Sequence, residues 1–237
     1  EMLRSLVGSE MCIRDSSSGA PVPDVPQIPD LIAAFDLLGV FANGLLGGAV
    51  ARRYQLDPVG FCVLAVVSAL GGGAIRDVLL DVQPVALTDL RYLTVALTAA
   101  LIAFLVPLDG RRWRQVFPWV DAVALGTWAV VGTQKALLLD IHWFPGILLG
   151  VLTACGGGVV RDVMLGSVPA ILQRSELYAT AAFAGGASFV LLQLVTTDPL
   201  ASLGALLIGG GVCDLARRRG WMLPTEPKWR PSRVHRR

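Results

Sequence analysis

The feature that most constrains this chain is the length of its apolar runs. Runs of about 18 to 22 residues follow one another, separated by short charged clusters, and an α-helix of about 20 apolar residues spans the hydrocarbon core of a bilayer. Hydrophobic residues make up 54% of the sequence and charged residues only 16%, against roughly 25% charged residues in soluble domains. The sequence therefore predicts an all-α integral membrane protein.

Seven apolar runs predict seven transmembrane helices. Run length and flanking charge place them at about residues 31–51, 57–74, 89–107, 119–139, 144–165 with a break inside, 176–196 and 199–217. Residues 1–30 are predicted to be a disordered leader, of which residues 5–16 resemble translated adapter sequence. Residues 220–237 are predicted to form a basic cytoplasmic tail that contacts anionic lipid.

The distribution of basic residues predicts the orientation. If the chain crosses seven times, the side of the C-terminal tail collects the eight basic residues of 217–237 together with Arg52, Arg53, Arg111, Arg112, Arg114, Arg161 and Arg174. The opposite loops hold Arg76 and Arg91. By the positive-inside rule, the N-terminus is outside and the C-terminus is in the cytoplasm, in a multi-pass protein of the cell (inner) membrane. The net charge of +2 is too small to indicate a nucleic-acid partner.

The chain is also internally duplicated. Residues 71–80 (GGGAIRDVLL) match residues 156–165 (GGGVVRDVML) at an offset of 85 positions. The same offset pairs Asp36 with Asp121, Gly47 with Gly132, Pro84 with Pro169 and Leu87 with Leu172. We place a first three-helix repeat at residues 31–110, a second at 118–197 and an additional seventh helix at 199–219. Because three is odd, the second repeat enters from the opposite side, as in the inverted repeats of many transport proteins.

Two glycine triplets are the first candidate site residues: Gly71, Gly72 and Gly73, and Gly156, Gly157 and Gly158. Glycine disfavours a helix by roughly 1 kcal/mol relative to alanine, so each triplet is predicted to break its helix. Freed carbonyls there could replace the hydration shell of a small cation. The alternative is that the glycines only allow close helix packing, which is also the simplest interpretation of Gly209, Gly210 and Gly211.

Charged side chains follow each triplet. Arg76 with Asp77, and Arg161 with Asp162, are interpreted as structural ion pairs at the pore, because an unpaired charge inside a membrane is costly; ordinary pairing at the headgroups is the alternative. Lys135 lies inside the fourth run. It is interpreted as a movable charge in the ion path, or as a side chain that snorkels to the interface.

The remaining candidates are polar residues within apolar runs. Asp36 and Asp121 are expected near the start of their helices, where a carboxylate favours the helix dipole and could attract cations; capping alone is the alternative. Ser68 and Thr153, like Asn43 and Thr133, could line water or bond to a neighbouring helix. The cysteines Cys62, Cys155 and Cys213 are interpreted as small apolar residues.

Taken together, these residues resemble a known family. The two GGGxxRD strings, the proline after each, residues 132–136 and the WMLP string at 221–224 resemble the prokaryotic members of the trimeric intracellular cation (TRIC) channel family, which includes glycine-transporter-type (UPF0126-like) bacterial membrane proteins. The resemblance covers about residues 31–225. It implies a homotrimer with a separate pore in each protomer that is selective for monovalent cations such as potassium, kinked second and fifth helices at the glycine triplets, and a fourth-helix lysine at Lys135.

Three functions remain open at this point. A monovalent cation channel needs a continuous wet path, whereas a small-solute (glycine-type) secondary transporter needs alternating access. A membrane scaffold would need neither, but it has no evident use for two symmetric charge pairs. No enzyme motif is present, so we predict a protein that is not an enzyme and holds no cofactor, with permeant K⁺ and membrane lipid as its expected contacts.

Overall fold

The computed structural model describes residues 30–108, 110–172 and 177–222. Predictions for the leader (residues 1–29), Arg174 and the tail from residue 223 onward lie outside the described residues.

The described chain is all-α, which confirms the predicted fold class. Its helices are α1 (Asp30–Arg53), α2 (Pro58–Leu79), the short α3 (Val85–Thr88), α4 (Leu90–Leu105), α5 (Arg111–Leu138), α6 (Trp143–Met164), α7 (Tyr178–Gln193) and α8 (Asp198–Arg219). One 3-10 turn, Ala170–Leu172, stands in the second repeat where α3 stands in the first.

Membrane-spanning capacity is distributed unevenly among these helices. Five segments of the described residues are long and apolar enough to cross a membrane: Ala33–Arg53, Pro58–Leu79, Gln115–Leu138, Trp143–Met164 and Asp198–Arg219. The third helix of each repeat, α4 or α7, is apolar but has only 16 residues, about 24 Å at 1.5 Å per residue. Both were predicted a few residues too long; α4 ends because Val106 is extended ahead of Pro107.

Helix α5 differs most from its prediction. It was expected to begin at about residue 119, from the length of the apolar run and its flanking charge. The helix instead begins at Arg111 and contains Pro118. The carbonyl of Pro118 accepts a hydrogen bond from Arg217 Nη1 at 2.9 Å, so α8 is tied to this part of α5.

The predicted breaks at the glycine triplets are wrong. Helices α2 and α6 are continuous through both triplets, and the glycines serve the alternative role of close packing. A Cβ at Gly72 would collide with the carbonyl oxygen of Thr153, and a Cβ at Gly157 would collide with that of Ser68. The two contacts are equivalent under the offset of 85, so α2 and α6 cross at a pseudo-two-fold axis between the repeats.

The same symmetry extends to the neighbouring helices. A Cβ at Gly47 on α1 would lie 2.6 Å from Ser68 Cβ, and one at the equivalent Gly132 on α5 would lie 2.6 Å from Thr153 Oγ1. Helix α1 also packs on α4, and α5 packs on α6, α7 and α8. In the third triplet, Gly209 packs on Gly185, and a Cβ at Gly210 would lie 3.1 Å from the Ala122 carbonyl oxygen, whereas a Cβ at Gly211 would meet nothing within 4 Å.

The crossing generates a test with a matched control one residue away. We expect Gly72→Ala to lower the free energy of unfolding by about 1–3 kcal/mol, because the added methyl meets the backbone of α6 and the helices must separate. Gly73→Ala, whose methyl would find only Arg76 Nη2 at 3.7 Å, should leave stability unchanged or raise it slightly. Thermal unfolding in detergent micelles measures both; equal melting temperatures would contradict the proposed contact.

Candidate functional site

The most buried charges in the described chain form one cluster around Asp77. Its Oδ1 accepts from Arg76 Nε at 2.7 Å and from Lys135 Nζ at 2.8 Å, and its Oδ2 accepts from the Val85 amide at 3.0 Å. Arg76 and Asp77 are each 1% exposed and Lys135 is 4% exposed. Lys135 belongs to the second repeat and Asp77 to the first, so this ion pair joins the repeats. Burial of Lys135 excludes the snorkelling alternative in this conformation.

Asp36 lies beside this cluster, not at a helix end. Helix α1 begins at Asp30, and the Asp36 carboxylate is 4% exposed, accepting from Tyr92 Oη at 2.9 Å and from Trp128 Nε1 at 3.1 Å. The capping interpretation of Asp36 is therefore wrong. A buried carboxylate can lie inside a helix when donors from other helices satisfy it. The helix therefore continues through Asp36.

The second repeat builds a similar but looser cluster. Arg161 Nε donates to Asp162 Oδ1 at 3.0 Å, and the Ala170 amide donates to Asp162 Oδ2 at 3.0 Å, as Val85 does to Asp77. The Arg161 and Asp162 side chains are 15% and 13% exposed. No lysine joins this pair among the described residues, since Val50 stands at the position equivalent to Lys135.

Asp121 occupies the position equivalent to Asp36 and likewise does not cap a helix, because α5 begins ten residues earlier at Arg111. Its Oδ1 accepts from Tyr178 Oη at 2.9 Å, and its Oδ2 accepts from Arg217 Nη2 at 2.7 Å. Arg217 lies on α8, outside both repeats. The aspartate of the first repeat thus accepts a hydrogen bond from an indole, whereas that of the second accepts one from a guanidinium on the additional helix.

The two clusters line two cavities of very different size. The cavity around Asp121 and Asp162 has a volume of about 420 Å³, whereas the one around Asp36 and Asp77 has about 20 Å³. We call the larger one the open cavity and the smaller one the closed cavity, names that refer to their volumes. Because successive helices cross in opposite directions, the two Arg-Asp pairs lie toward opposite ends of the bundle. The open cavity lies at the end where α8 terminates, with Arg217 and Met222 in its lining.

The predicted site residues divide between these cavities and the crossing. Gly73, Arg76, Asp77 and Asp36 line the closed cavity, and Gly158, Arg161, Asp162 and Asp121 line the open one. Lys135 lines neither cavity but contacts Asp77. The remaining candidates are in the crossing: Gly71, Gly72, Gly156, Gly157, Ser68 and Thr153. Ser68 Oγ has no partner there, whereas Thr153 Oγ1 donates to the Leu149 carbonyl. Whether any of them contacts an ion stays a prediction.

Sequence reasoning missed four residues of the site. Tyr92 and Tyr178 are equivalent, but their separation is 86 positions, so a search at an offset of 85 does not pair them. Trp128 and Arg217 have no identical counterpart in the other repeat. The signal that could have found Trp128 is its position, 85 residues after the polar Asn43 within an otherwise similar helix.

Comparison with known proteins fits this duplicated architecture. The profile of the Glycine transporter family matches the chain twice, at residues 33–107 and 118–193. A UPF0126 membrane protein of Streptomyces coelicolor is 43% identical over 210 residues, which cover 86% of this chain and 94% of that protein. The UPF0126 membrane protein of Vibrio cholerae is 37% identical over 190 residues, 74% of this chain and 79% of the relative.

Solved structures extend the similarity to channels. The TRIC trimeric intracellular cation channel orthologue of Rhodobacter sphaeroides has a TM-score of 0.74 and 31% sequence identity, covering 80% of this chain and 98% of that one. A prokaryotic TRIC channel at 24% identity has the same fold, with a TM-score of 0.74. The duplicated helices and paired Arg-Asp clusters define a multi-pass membrane protein of inverted-repeat type. The chain belongs to the UPF0126 and TRIC-like family that the glycine transporter profile describes.

The Asp77 cluster generates a graded prediction. Asp77→Asn leaves the two buried cations Arg76 and Lys135 with Asp36 as their one remaining counter-charge in the cluster, so we expect a loss of about 3–5 kcal/mol in the free energy of unfolding. Lys135→Met removes one cation and leaves the Arg76–Asp77 pair intact, so its loss should be clearly smaller. Asp162→Asn, in the more exposed pair, is the matched control. Melting temperatures in detergent rank the three; a lower stability for Lys135→Met than for Asp77→Asn would refute the central role of Asp77.

Proposed function

We propose that this protein is a monovalent cation channel, with an ion path in each protomer that runs from the open cavity, past the crossing of α2 and α6, to the Asp77 cluster. The similarity to TRIC cation channels supports the class of function. We also propose K⁺ as the main permeant ion, and assembly into a homotrimer, which the similarity to a trimeric cation channel supports. Membrane lipid is the proposed contact of the exposed apolar helix faces. The proposal involves neither catalysis nor a resident cofactor.

One observation carries the proposal: Lys135 bridges from the second repeat to Asp77 of the first at 2.8 Å, at the far end of the route from the open cavity. A fixed ammonium in a narrow path repels permeant cations. Here it also neutralises the carboxylate that would attract them. We therefore interpret this conformation as a closed state in which the Lys135–Asp77 pair blocks the path.

The charge distribution supports passage of a small cation through the two cavities. Each cavity is lined by two carboxylates, and each pair belongs to a formally neutral set of two acids and two bases. Asp121, Asp162, Arg161 and Arg217 line the open cavity. Asp36, Asp77 and Arg76 line the closed one, and Lys135 completes that set through its bond to Asp77. Neutral sets avoid the cost of isolated charge inside a bilayer. A cation that replaces one base keeps the set neutral.

A small-solute transporter of the glycine type is the second candidate. The family description names such a function, and a wide cavity at one end with a closed one at the other is the arrangement that alternating access requires. The predicted orientation, with the C-terminus in the cytoplasm of an inner-membrane protein, would make the open cavity cytoplasmic. A relative in Escherichia coli is named an inner membrane protein, which supports that location.

Ion flux from liposomes tests the proposal. We expect purified protein to release K⁺ down its gradient, with choline as the impermeant control. Lys135→Met should accelerate release by about tenfold or more, because removing a closing contact worth about 1.4 kcal/mol shifts the closed-to-open equilibrium by that factor.

Arg53→Ala is the matched control for this test, because it removes an exposed cation at the end of α1 without touching either cavity. Radiolabelled glycine uptake is measured in the same liposomes. Saturable glycine uptake without K⁺ release would refute the channel and favour the transporter. K⁺ release that is unchanged by Lys135→Met would refute the blocking role of Lys135.

A further inference from the structure

The open and closed cavities are two copies of one construction. Nine of the twelve residues that line the closed cavity have their counterpart, 85 positions later, in the lining of the open cavity. A tenth, Tyr92, corresponds to Tyr178. Random pockets in a helical bundle would not share their linings residue by residue, so the small cavity is the inverted equivalent of the large one in a different state.

One residue that contributes to the difference in volume comes from the first helix of the opposite repeat. Trp128 of α5 lies in the closed cavity, and its counterpart Asn43 of α1 lies in the open one. The indole is 2% exposed and donates to Asp36 at 3.1 Å. It also fits tightly, since a Cβ at Gly39 would lie 2.7 Å from its Nε1. A large aromatic ring therefore occupies part of the volume that stays free beside Asn43.

Polar groups in both cavities indicate a wet route. The Asn43 side chain is 7% exposed and lines the open cavity beside Gly157 at the crossing. In the closed cavity, Arg76 is 1% exposed and its Nη1 has no hydrogen-bond partner among the described residues. A buried polar group without a partner costs about 1–3 kcal/mol, which contact with water or a permeating ion relieves. A cavity of about 20 Å³ accommodates about one water molecule.

We propose that the residues around Asp36 and Asp77 form a second cation vestibule, the inverted copy of the open cavity, and that the Trp128 indole is the plug that keeps it closed. The inference rests on the proposed function in taking the ligand to be a monovalent cation. When the indole leaves, Asp36 loses its donor, and its carboxylate faces the enlarged space with Tyr92 as its remaining partner. That carboxylate then attracts a cation into the second vestibule. In the open cavity, Asn43 contacts the permeating cation.

Cysteine accessibility tests the plug without depending on ion flux. Two variants are compared. The first has Cys12, Cys62 and Cys213 replaced by alanine and keeps Cys155, which lines the open cavity. The second also carries Cys155→Ala, and its single cysteine is Leu70→Cys, at the equivalent position of the closed cavity. The probe is a small cationic methanethiosulfonate applied to the full-length protein in liposomes. We expect Cys155 to react and Leu70→Cys to react at least about tenfold more slowly, in line with a mainly closed population.

Trp128→Asn, which installs the residue found at position 43, should then accelerate labelling of Leu70→Cys by about tenfold or more. Trp119→Asn is the matched control, because Trp119 lies on the same helix but is 53% exposed. If Trp128→Asn does not fold, Gly39→Ala displaces the indole from the other side and should have the same effect. Two results overturn the inference. One is that Leu70→Cys reacts as fast as Cys155 while Trp128 is present. The other is that Leu70→Cys stays slow in folded Trp128→Asn and Gly39→Ala proteins.

Parallel K⁺ flux separates this inference from the proposed function. Faster labelling with faster K⁺ release supports both. Faster labelling without any K⁺ release keeps the vestibule and refutes the channel. If labelling of Cys155 slows as that of Leu70→Cys accelerates, the vestibule stands and the two cavities open alternately, as in a transporter. Faster K⁺ release with Leu70→Cys still unreactive overturns the vestibule, because ions then pass by another route.

Discussion

The contact on which the structure depends is the crossing of α2 and α6, where glycine lets one helix backbone rest on the other. In a bilayer, burial of apolar side chains against each other gains little, since lipid is as apolar as leucine, and helices associate through close packing instead. Gly72 against Thr153 and Gly157 against Ser68 supply that packing twice, by symmetry. The crossing holds the two repeats together and sets one cavity toward each end of the bundle.

Charge placement follows from this geometry. The Arg-Asp pair of each repeat lies one turn beyond its glycine triplet, so both pairs project into the cavities that flank the crossing. Their aspartates also accept an amide from the next segment, Val85 in one repeat and Ala170 in the other. Each carboxylate thus fixes the loop after its helix as well as neutralising its arginine. The same aspartate therefore neutralises its arginine and fixes the path of the next segment, which explains why the GGGxxRD string is present in both repeats.

Sequence alone predicted the parts of this arrangement that depend on local pattern. Run lengths gave the helices, and the offset of 85 gave the repeats, because both are properties of residues near one another in the chain. Helix breaks at the triplets were wrongly predicted, since the propensity penalty of glycine is outweighed by contacts with a distant helix. The role of Asp36 and Asp121 was missed for the same reason: their donors, Trp128, Tyr92, Tyr178 and Arg217, come from other helices.

Inverted repeats with identical sequences would have no reason to prefer one cavity over the other. In this chain the preference is written into the few positions where the repeats differ. Trp128 and Lys135 lie on the closed side. Their counterparts on the open side, Asn43 and Val50, neither fill the cavity with a ring nor place an ammonium beside the aspartate. Helix α8 adds to the bias, because it packs mainly on α5 and α7 and supplies Arg217 to the aspartate of the open side, Asp121. The conformation is therefore selected by a bulky ring, one ammonium and one additional helix acting on an otherwise symmetric frame.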